Sequence, residues 1–316
     1  MAQIALLKTA DSKNYTQNPC RLSFSKIDTR HIGLLRSFFE RFPSRSCDFS
    51  IGGVLIWSRM FEYEYAVAYD SLIIKGYMPE VNMHVFYEPC GLIDRDEYRN
   101  LISDYCKING MKGLLIIQEE EKIGIDHPKE ALFGEYLSEY KEYLYPIEKF
   151  CGFPGKKMEK KRNHLHYFDN HYPEVTCSKI SETDIEALIS FTREFKKIHG
   201  DSTISDYECD EIINVLNNYN CYNFHGIVVK ENDKVIGYSF GEKIGDTFII
   251  HAEKGDIQYR GIYQKVSSEL ASYVASQFPE IAYLNREDDM GDESLRLSKE
   301  SYHPTIYIHK KRYFVL

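Results

Sequence analysis

In the second half of the chain the spacing of apolar positions switches cleanly between the period of a strand and the period of a helix. Val175–Ile180 reads as a strand, and Ser181 with Asp184 forms a capping pair for a helix running to about Ile198. A second helix is predicted over Tyr207 to Asn218. Three strands come next as a meander, Phe224–Lys230, Lys234–Lys243 and Asp246–Glu253, with turns at Asn232-Asp233 and Gly245-Asp246. They lead to a helix over Gly261–Phe278, a strand Ile281–Leu284, a helix Glu293–Ser301 and a last strand Thr305–Phe314. Antiparallel strands followed by helical crossovers predict a mixed α/β sheet.

The first half carries a worn version of the same order. Residues 1–20 are polar and read as a lead-in. Arg21–Phe24 is a predicted strand and Thr29–Phe42 a helix with Ile32, Leu35, Phe38 and Phe39 on one face. The segment Ser50–Ser58 holds Gly52-Gly53 and the sole tryptophan, Trp57. Strands are expected at Tyr65–Tyr69, Ser71–Lys75 and Met83–Tyr87, with a turn at Asp70-Ser71. A helix over Asp94–Lys107, closed by Asn109-Gly110, precedes a strand at Gly113–Ile117 and a Glu-rich helix from about Lys129 to Tyr143. The breakers Cys151–Gly155 then introduce one helix from Lys156 to His171. The chain therefore reads as two copies of one fold: residues 1–150 as a degenerate scaffold copy, 151–173 as a connecting basic helix, and 174–316 as the copy carrying the chemistry.

Composition narrows the class. Of 316 residues, 43% are hydrophobic and 28% charged, which describes a globular chain. No apolar run approaches the roughly 20 residues that span a bilayer, and the N-terminus lacks the basic region of a secretory signal, so a cytoplasmic protein is expected. The eight cysteines include no CxxC pair and read as reduced, and no metal site is expected from the eleven histidines. A net charge of −9 excludes a general nucleic-acid binder. It also isolates the run from Lys156 to Arg162, where Lys156, Lys157, Lys160, Lys161 and Arg162 surround one acid, followed by Asn163 and His164. Such a helix either positions a phosphate backbone without reading bases or is a solvated join between domains.

Candidate chemistry concentrates in Ala282–Pro304. Asn285, Arg286, Glu287, Asp288 and Asp289 stand in unbroken succession at the end of an apolar strand, before a short helix bearing Arg296 and Lys299. A strand end feeding a charged loop and a helix N-terminus is where α/β folds place ligands. His251, Glu253 and Lys254 close the meander. Alternation puts His251 and Glu253 on one face and Lys254 on the other unless a bulge intervenes. For amide-forming chemistry, Glu253 or His251 is a candidate base, Lys254 or Arg286 a candidate for stabilising an oxyanion, and Glu287 and Asp289 lie in the same loop. A buried ion-pair network among these residues is the structural alternative.

Four motifs in this order resemble the bacterial phosphatidylglycerol lysyltransferase C-terminal-like family. They are Gly155-Lys156-Lys157 with Lys160–His164; His251-Ala252-Glu253-Lys254; Tyr259-Arg260-Gly261-Ile262-Tyr263; and Asn285–Gly291 with Leu295-Arg296, Lys299 and Ser301-Tyr302. The likeness runs from about Cys47 to the C-terminus. It implies two tandem GNAT-like acyltransferase domains, akin to transferases that move an aminoacyl group from an aminoacyl-tRNA onto lipids or peptidoglycan precursors. Lipid-modifying members also carry membrane-spanning segments that this chain lacks, which argues against a bilayer phospholipid acceptor. It further implies substrate binding by the basic run (Lys156, Lys157, Lys160, Lys161, Arg162, Asn163, His164), by Tyr259, Gly261 and Tyr263, and by Asn285, Arg296, Lys299 and Tyr302. In acetyl-CoA users of this superfamily, small residues at the start of the helix after the meander let a pyrophosphate reach backbone N–H groups. Here Gly261 keeps the first small position, but Tyr263 fills the second. The expected activity is aminoacyl transfer to an amine or hydroxyl of a small-molecule or peptide acceptor. The alternatives are an acyl-CoA-dependent N-acetyltransferase and a non-catalytic ligand-binding module.

Overall fold

A computed structural model describes residues 22–123, 134–199 and 203–315. The predicted lead-in over residues 1–20 lies outside them. In chain order, β1 (Ser25–Lys26) is followed by α1 (Ile32–Arg41) and α2 (Ile51–Trp57). The strands β2 (Glu64–Ala68), β3 (Ser71–Met78) and β4 (Met83–Tyr87) form a meander, with β5 (Cys90–Gly91) beside β3. Then come α3 (Arg95–Ile108), β6 (Gly113–Lys122), β7 (Glu135–Pro146), α4 (Glu159–His171) and β8 (Val175–Lys179). The second half continues with α5 (Ile185–His199), α6 (Thr203–Asn217), the short α7 (Tyr219–Tyr222), β9 (His225–Glu231), β10 (Lys234–Ile244) and β11 (Thr247–Gly255). It ends with α8 (Ile262–Gln277), β12 (Tyr283–Asn285), α9 (Glu293–Glu300) and β13 (Ile306–Val315).

Local chemistry accounts for most boundaries. Ser181 and Asp184 form the reciprocal capping box. Asn232 and Asp233 take positive φ, and Gly245 does so at the next turn, as two-residue hairpins require. Four expectations are corrected. The Glu-rich stretch drawn as a helix to Tyr143 is the strand β7 from Glu135 onward. Its Leu144 and Tyr145 are wholly buried because neighbouring strands flank it and both faces are covered, a tertiary effect that outweighs helix propensity. The first hairpin turns at Tyr69-Asp70, both at positive φ, rather than at Asp70-Ser71. The strand predicted at Arg21–Phe24 is not formed over residues 22–24, and β1 begins at Ser25. Finally, the basic run opens as a 3-10 turn, Lys156–Met158, before α4 begins.

Among the described residues, all thirteen strands join one mixed sheet in the order β1-β2-β3-β4-β6-β13-β7-β12-β11-β10-β9-β8, with β5 on β3. Each half contains one parallel pair reached by a helical crossover: β4 with β6 across α3, and β11 with β12 across α8. The last strands are exchanged between the halves. β13 lies antiparallel between β6 and β7, and β7 lies between β13 and β12. One face of the sheet carries α1, α2, α5 and α6 over a core that both halves share. The other carries α3 beneath the first half and α8, covered by α4, beneath the second. The two halves thus share one core and the central strands, while each also keeps a smaller apolar cluster of its own on the opposite face.

Candidate active site

The short strand β12 decides where the site lies. It leaves β11 after three residue pairs, Thr247 to Ile249 against Tyr283 to Asn285, and the chain then turns away as the loop Arg286–Asp292. Glu287, Met290 and Gly291 take positive φ in this loop. Asp292 ends it by capping α9, accepting from the Leu295 N–H at 2.9 Å. A cavity of about 920 Å³ opens beside this loop. Its walls come from β11, the loop, α8 and α9 of the second half, and from α2 and the first-half meander through Trp57, Tyr63, Tyr77 and Tyr87.

The end of β11 enters the cavity through a bulge. The β10 partner sequence passes from Ala252 to Ile250, leaving His251 as the extra residue. His251, Glu253 and Lys254 all line the cavity, within an unbroken run from Ile250 to Lys254, so the end of the strand borders the opening with both faces. His251 is fully buried, with Nε2 at 2.9 Å from Glu242 and Nδ1 at 2.8 Å from Glu287. Burial opposes its charge, but these two carboxylates override it and raise the imidazole to about 9. At neutral pH it is therefore an imidazolium donating from both nitrogens. Glu242 also accepts from the Gly52 N–H at 2.7 Å. A side chain at Gly52 would meet the His251 ring at 2.3 Å, so α2 can approach only as glycine.

Arg286 is paired through Nη2 with Glu253 at 2.6 Å, and Ser267 donates to the same carboxylate at 3.1 Å. Its guanidinium lies over the Tyr302 ring at 4.8 Å. Its Nη1 is buried with no hydrogen-bond partner among the described residues. Lys254 pairs with Glu208 of α6 at 2.9 Å. Asp289 accepts two bonds from Arg296, at 3.0 and 2.8 Å, and one from the Tyr143 hydroxyl at 2.5 Å. Lys299 is buried and donates to the carbonyls of Arg286, at 2.5 Å, and Asp288, which splints the loop from α9. Asn285 faces β7, donating to Glu142 at 2.6 Å and accepting from the Glu287 N–H at 2.7 Å. Tyr302 and Tyr263 line the cavity, and Gln264 donates to the Tyr302 hydroxyl at 2.8 Å.

The remaining expected ligand-binding residues separate into two groups. Lys156, Lys157, Lys160 and Asn163 are exposed. Lys161 reaches inward, donating to Ser301 at 2.7 Å over the Tyr302 ring, and burial beside Arg286 lowers it to about 8. Arg162 holds the preceding turn by donating to the carbonyls of Phe153 and Gly155. Tyr259 donates to Glu231 at 2.6 Å, and the cavity walls do not include it. Gly261, with φ +94°, lies against α4, where a Cβ would stand 2.4 Å from the His164 carbonyl oxygen. The helix start that a CoA pyrophosphate would need is thus covered by α4, and the residues present do not fit that cofactor.

Sequence reasoning passed over the first-half wall and Asp288. Asp48 and Lys310 pair at 2.7 Å, with Lys310 also 3.3 Å from the buried Glu142. Cys47, Asp48 and Glu142 come close enough to suggest a cation site, but the Lys310 ammonium already serves that trio. Lys310 had a readable signal, since Ile306, Ile308 and Lys310 share the inward face of β13. Asp288 stood in the acidic run without distinction. In the fold it lines the cavity, its one hydrogen bond among the described residues comes from the Met290 N–H at 3.2 Å, and burial raises its carboxyl to about 7.

Residues 39–315 match the family of phosphatidylglycerol lysyltransferase C-terminal domains. Among solved structures, a conserved protein of unknown function from Bacteroides thetaiotaomicron superposes with a TM-score of 0.80 at 25% identity, covering 92% of this chain and 98% of that one. The C-terminal domain of an Agrobacterium fabrum chain named as a putative lysylphosphatidylglycerol synthetase gives 0.59 at 11% identity, covering 90% of each chain. FemX gives 0.54 at 10% identity, covering 91% and 96%. An uncharacterized protein of Mycoplasmoides gallisepticum is 29% identical over 174 residues, and the match spans 55% of this chain and 55% of that relative's length. The mixed sheet therefore has the fold of the Agrobacterium C-terminal domain and of FemX. No helix among the described residues is long and apolar enough to cross a membrane.

Proposed function

The chain belongs to the phosphatidylglycerol lysyltransferase C-terminal family, and we propose that it transfers an aminoacyl group from an aminoacyl-tRNA to an amine or hydroxyl acceptor. One observation carries the choice of donor. The backbone of α4 occupies the start of α8 at Gly261, where a CoA pyrophosphate would otherwise lie, while the same segment presents Lys156, Lys157 and Lys160 to solvent. A basic surface beside a covered pyrophosphate cradle suits a polyanionic donor held outside the cavity, with only its acyl end inside.

The chemistry depends on which groups are already engaged. His251 holds two carboxylates and has no lone pair to accept a proton, and Glu253 is tied to Arg286 and Ser267. Asp288 faces the cavity with a carboxyl poised near neutrality, which suits a general base. The acceptor heteroatom attacks the aminoacyl ester carbonyl and its proton passes to Asp288. The tetrahedral oxyanion forms facing the Arg286 guanidinium, whose charge stabilises it. When the ester C–O bond breaks, the proton on Asp288 goes to the departing oxygen, and the carboxylate is restored. We assign the first half the role of acceptor wall rather than a second catalytic centre.

Binding decides the donor. Filter binding of charged and uncharged tRNA to wild type should weaken steeply with salt, and Lys156→Glu/Lys157→Glu/Lys160→Glu should reduce affinity at least tenfold. Acetyl-CoA should leave the melting temperature of both proteins unchanged. A clear CoA-induced rise without tRNA binding would overturn the reading.

A further inference from the structure

The cavity has two chemically different ends. Near Arg286 and Tyr302 it lies under Lys161 and the basic segment, the side from which a polyanionic donor would enter. Beyond Asp288 it is bounded by Tyr63, Tyr77, Tyr87 and Tyr140. Tyr63 and Tyr87 hydroxyls bond each other at 2.9 Å, so each already has a polar partner within the protein. Tyr140 is an electrostatic neighbour of Asp288, and Tyr87 of Asp48 and Tyr140.

The direct ion pairs at this end leave Asp288 out. Lys310 answers both Asp48 and Glu142, and His251 answers both Glu242 and Glu287, so each cation already faces two carboxylates. Lys299 gives its hydrogen bonds to backbone carbonyls. Asp288 forms no direct ion pair among the described residues; Lys310 and Lys299 favour its charge from further off, and desolvation disfavours it. A carboxylate outside any direct pair, in a cavity that four tyrosines also line, suits an organic ammonium.

We propose that this end of the cavity is the acceptor subsite and that it recognises a primary alkylammonium, with Asp288 as its counter-ion and the four tyrosine rings as its walls. This deepens the aminoacyl-transfer reading, on which the term acceptor rests, by narrowing the acceptor from an amine or hydroxyl to an alkylamine. The bound ammonium first releases one proton through Asp288 to solvent; the freed amine then attacks, and its second proton passes by the same carboxylate to the departing oxygen.

The test uses n-pentylamine and its neutral counterpart n-pentanol as probes on the intact chain, read by calorimetry and by melting temperature. Pentylamine should bind wild type at least tenfold more tightly than pentanol. Asp288→Asn, which keeps the shape, should abolish that preference, and Tyr77→Ala, which leaves every buried charge in place, should weaken pentylamine several-fold. Equal binding of pentylamine and pentanol, or an Asp288→Asn variant that keeps the preference in a normally melting protein, would overturn the proposal. None of these readouts requires tRNA, so failure of the donor reading appears separately, as absent tRNA binding beside intact amine selectivity.

Discussion

The two parallel crossovers of this molecule share an architecture and diverge after their second strand. In the first half, β6 continues for ten residues and pairs along its length with β13, so the sheet is closed where a site could have formed. In the second half, β12 stops after three residues, and the charged loop Arg286–Asp292 folds into the gap. The helix starts differ as well. The α3 N-terminus is capped by its own Asp94, which accepts from the N–H groups of Asp96 and Glu97, whereas α8 begins at a glycine pressed against α4. A repeated crossover therefore supplies a scaffold. A strand that ends early supplies the opening, and the partner half supplies its far wall.

The comparison breaks most visibly at Arg286. If the second half alone holds the chemistry, Arg286→Ala should lower aminoacyl transfer by about a hundredfold or more through loss of oxyanion stabilisation. It should also destabilise the fold by roughly 3 kcal/mol, because Glu253 is left buried without its cation. Single-turnover kinetics and urea denaturation separate the two effects. A variant with full activity would remove Arg286 from the reacting centre.

A smaller effect sharpens the role of His251 as a fixed cation. Its folded pKa, about 9, lies above the ordinary 6.5, so its stabilisation is complete below pH 6.5 and fades as pH rises towards 9. The stability gap between wild type and His251→Gln should be roughly 2–3 kcal/mol at pH 6 and nearly closed at pH 9.5. Taking the difference between the two proteins cancels Lys161, which titrates at about 8. A gap that widens with pH would mean that His251 is buried neutral.

The smallest expected change lies in the first half. Asp94→Ala removes the α3 cap and should cost about 1 kcal/mol in urea denaturation while leaving transfer rates unchanged. A matching loss of activity would show that the first crossover contributes more than a scaffold.

Much of this architecture was legible in the sequence because it is encoded locally. The capping box at Ser181, the turn at Asn232-Asp233, the period of the meander and the density of charge after Leu284 each depend on residues a few positions apart. Local pattern also brought His251, Glu253, Lys254 and Arg286 into one candidate set, and the fold gathers all four around one cavity. It failed at β7, where Glu and Lys imitate a helix and only flanking strands make the segment extended.

By itself, then, the sequence determined the element types, most of their ends and the loop that carries the charge, because propensity, capping and turn geometry are short-range. Only the tertiary structure decided which charges are already paired. His251 becomes a cation because Glu242 and Glu287 arrive from separate segments, and Asp288 is left without a direct pair because Lys310 is drawn to Asp48 and Glu142 across the exchanged strands. The opening of the cavity is settled the same way, by β13 closing one half of the sheet while β12 ends short in the other. Those outcomes rest on long-range pairing and on burial, and burial is what turns a nearby charge into a strong interaction.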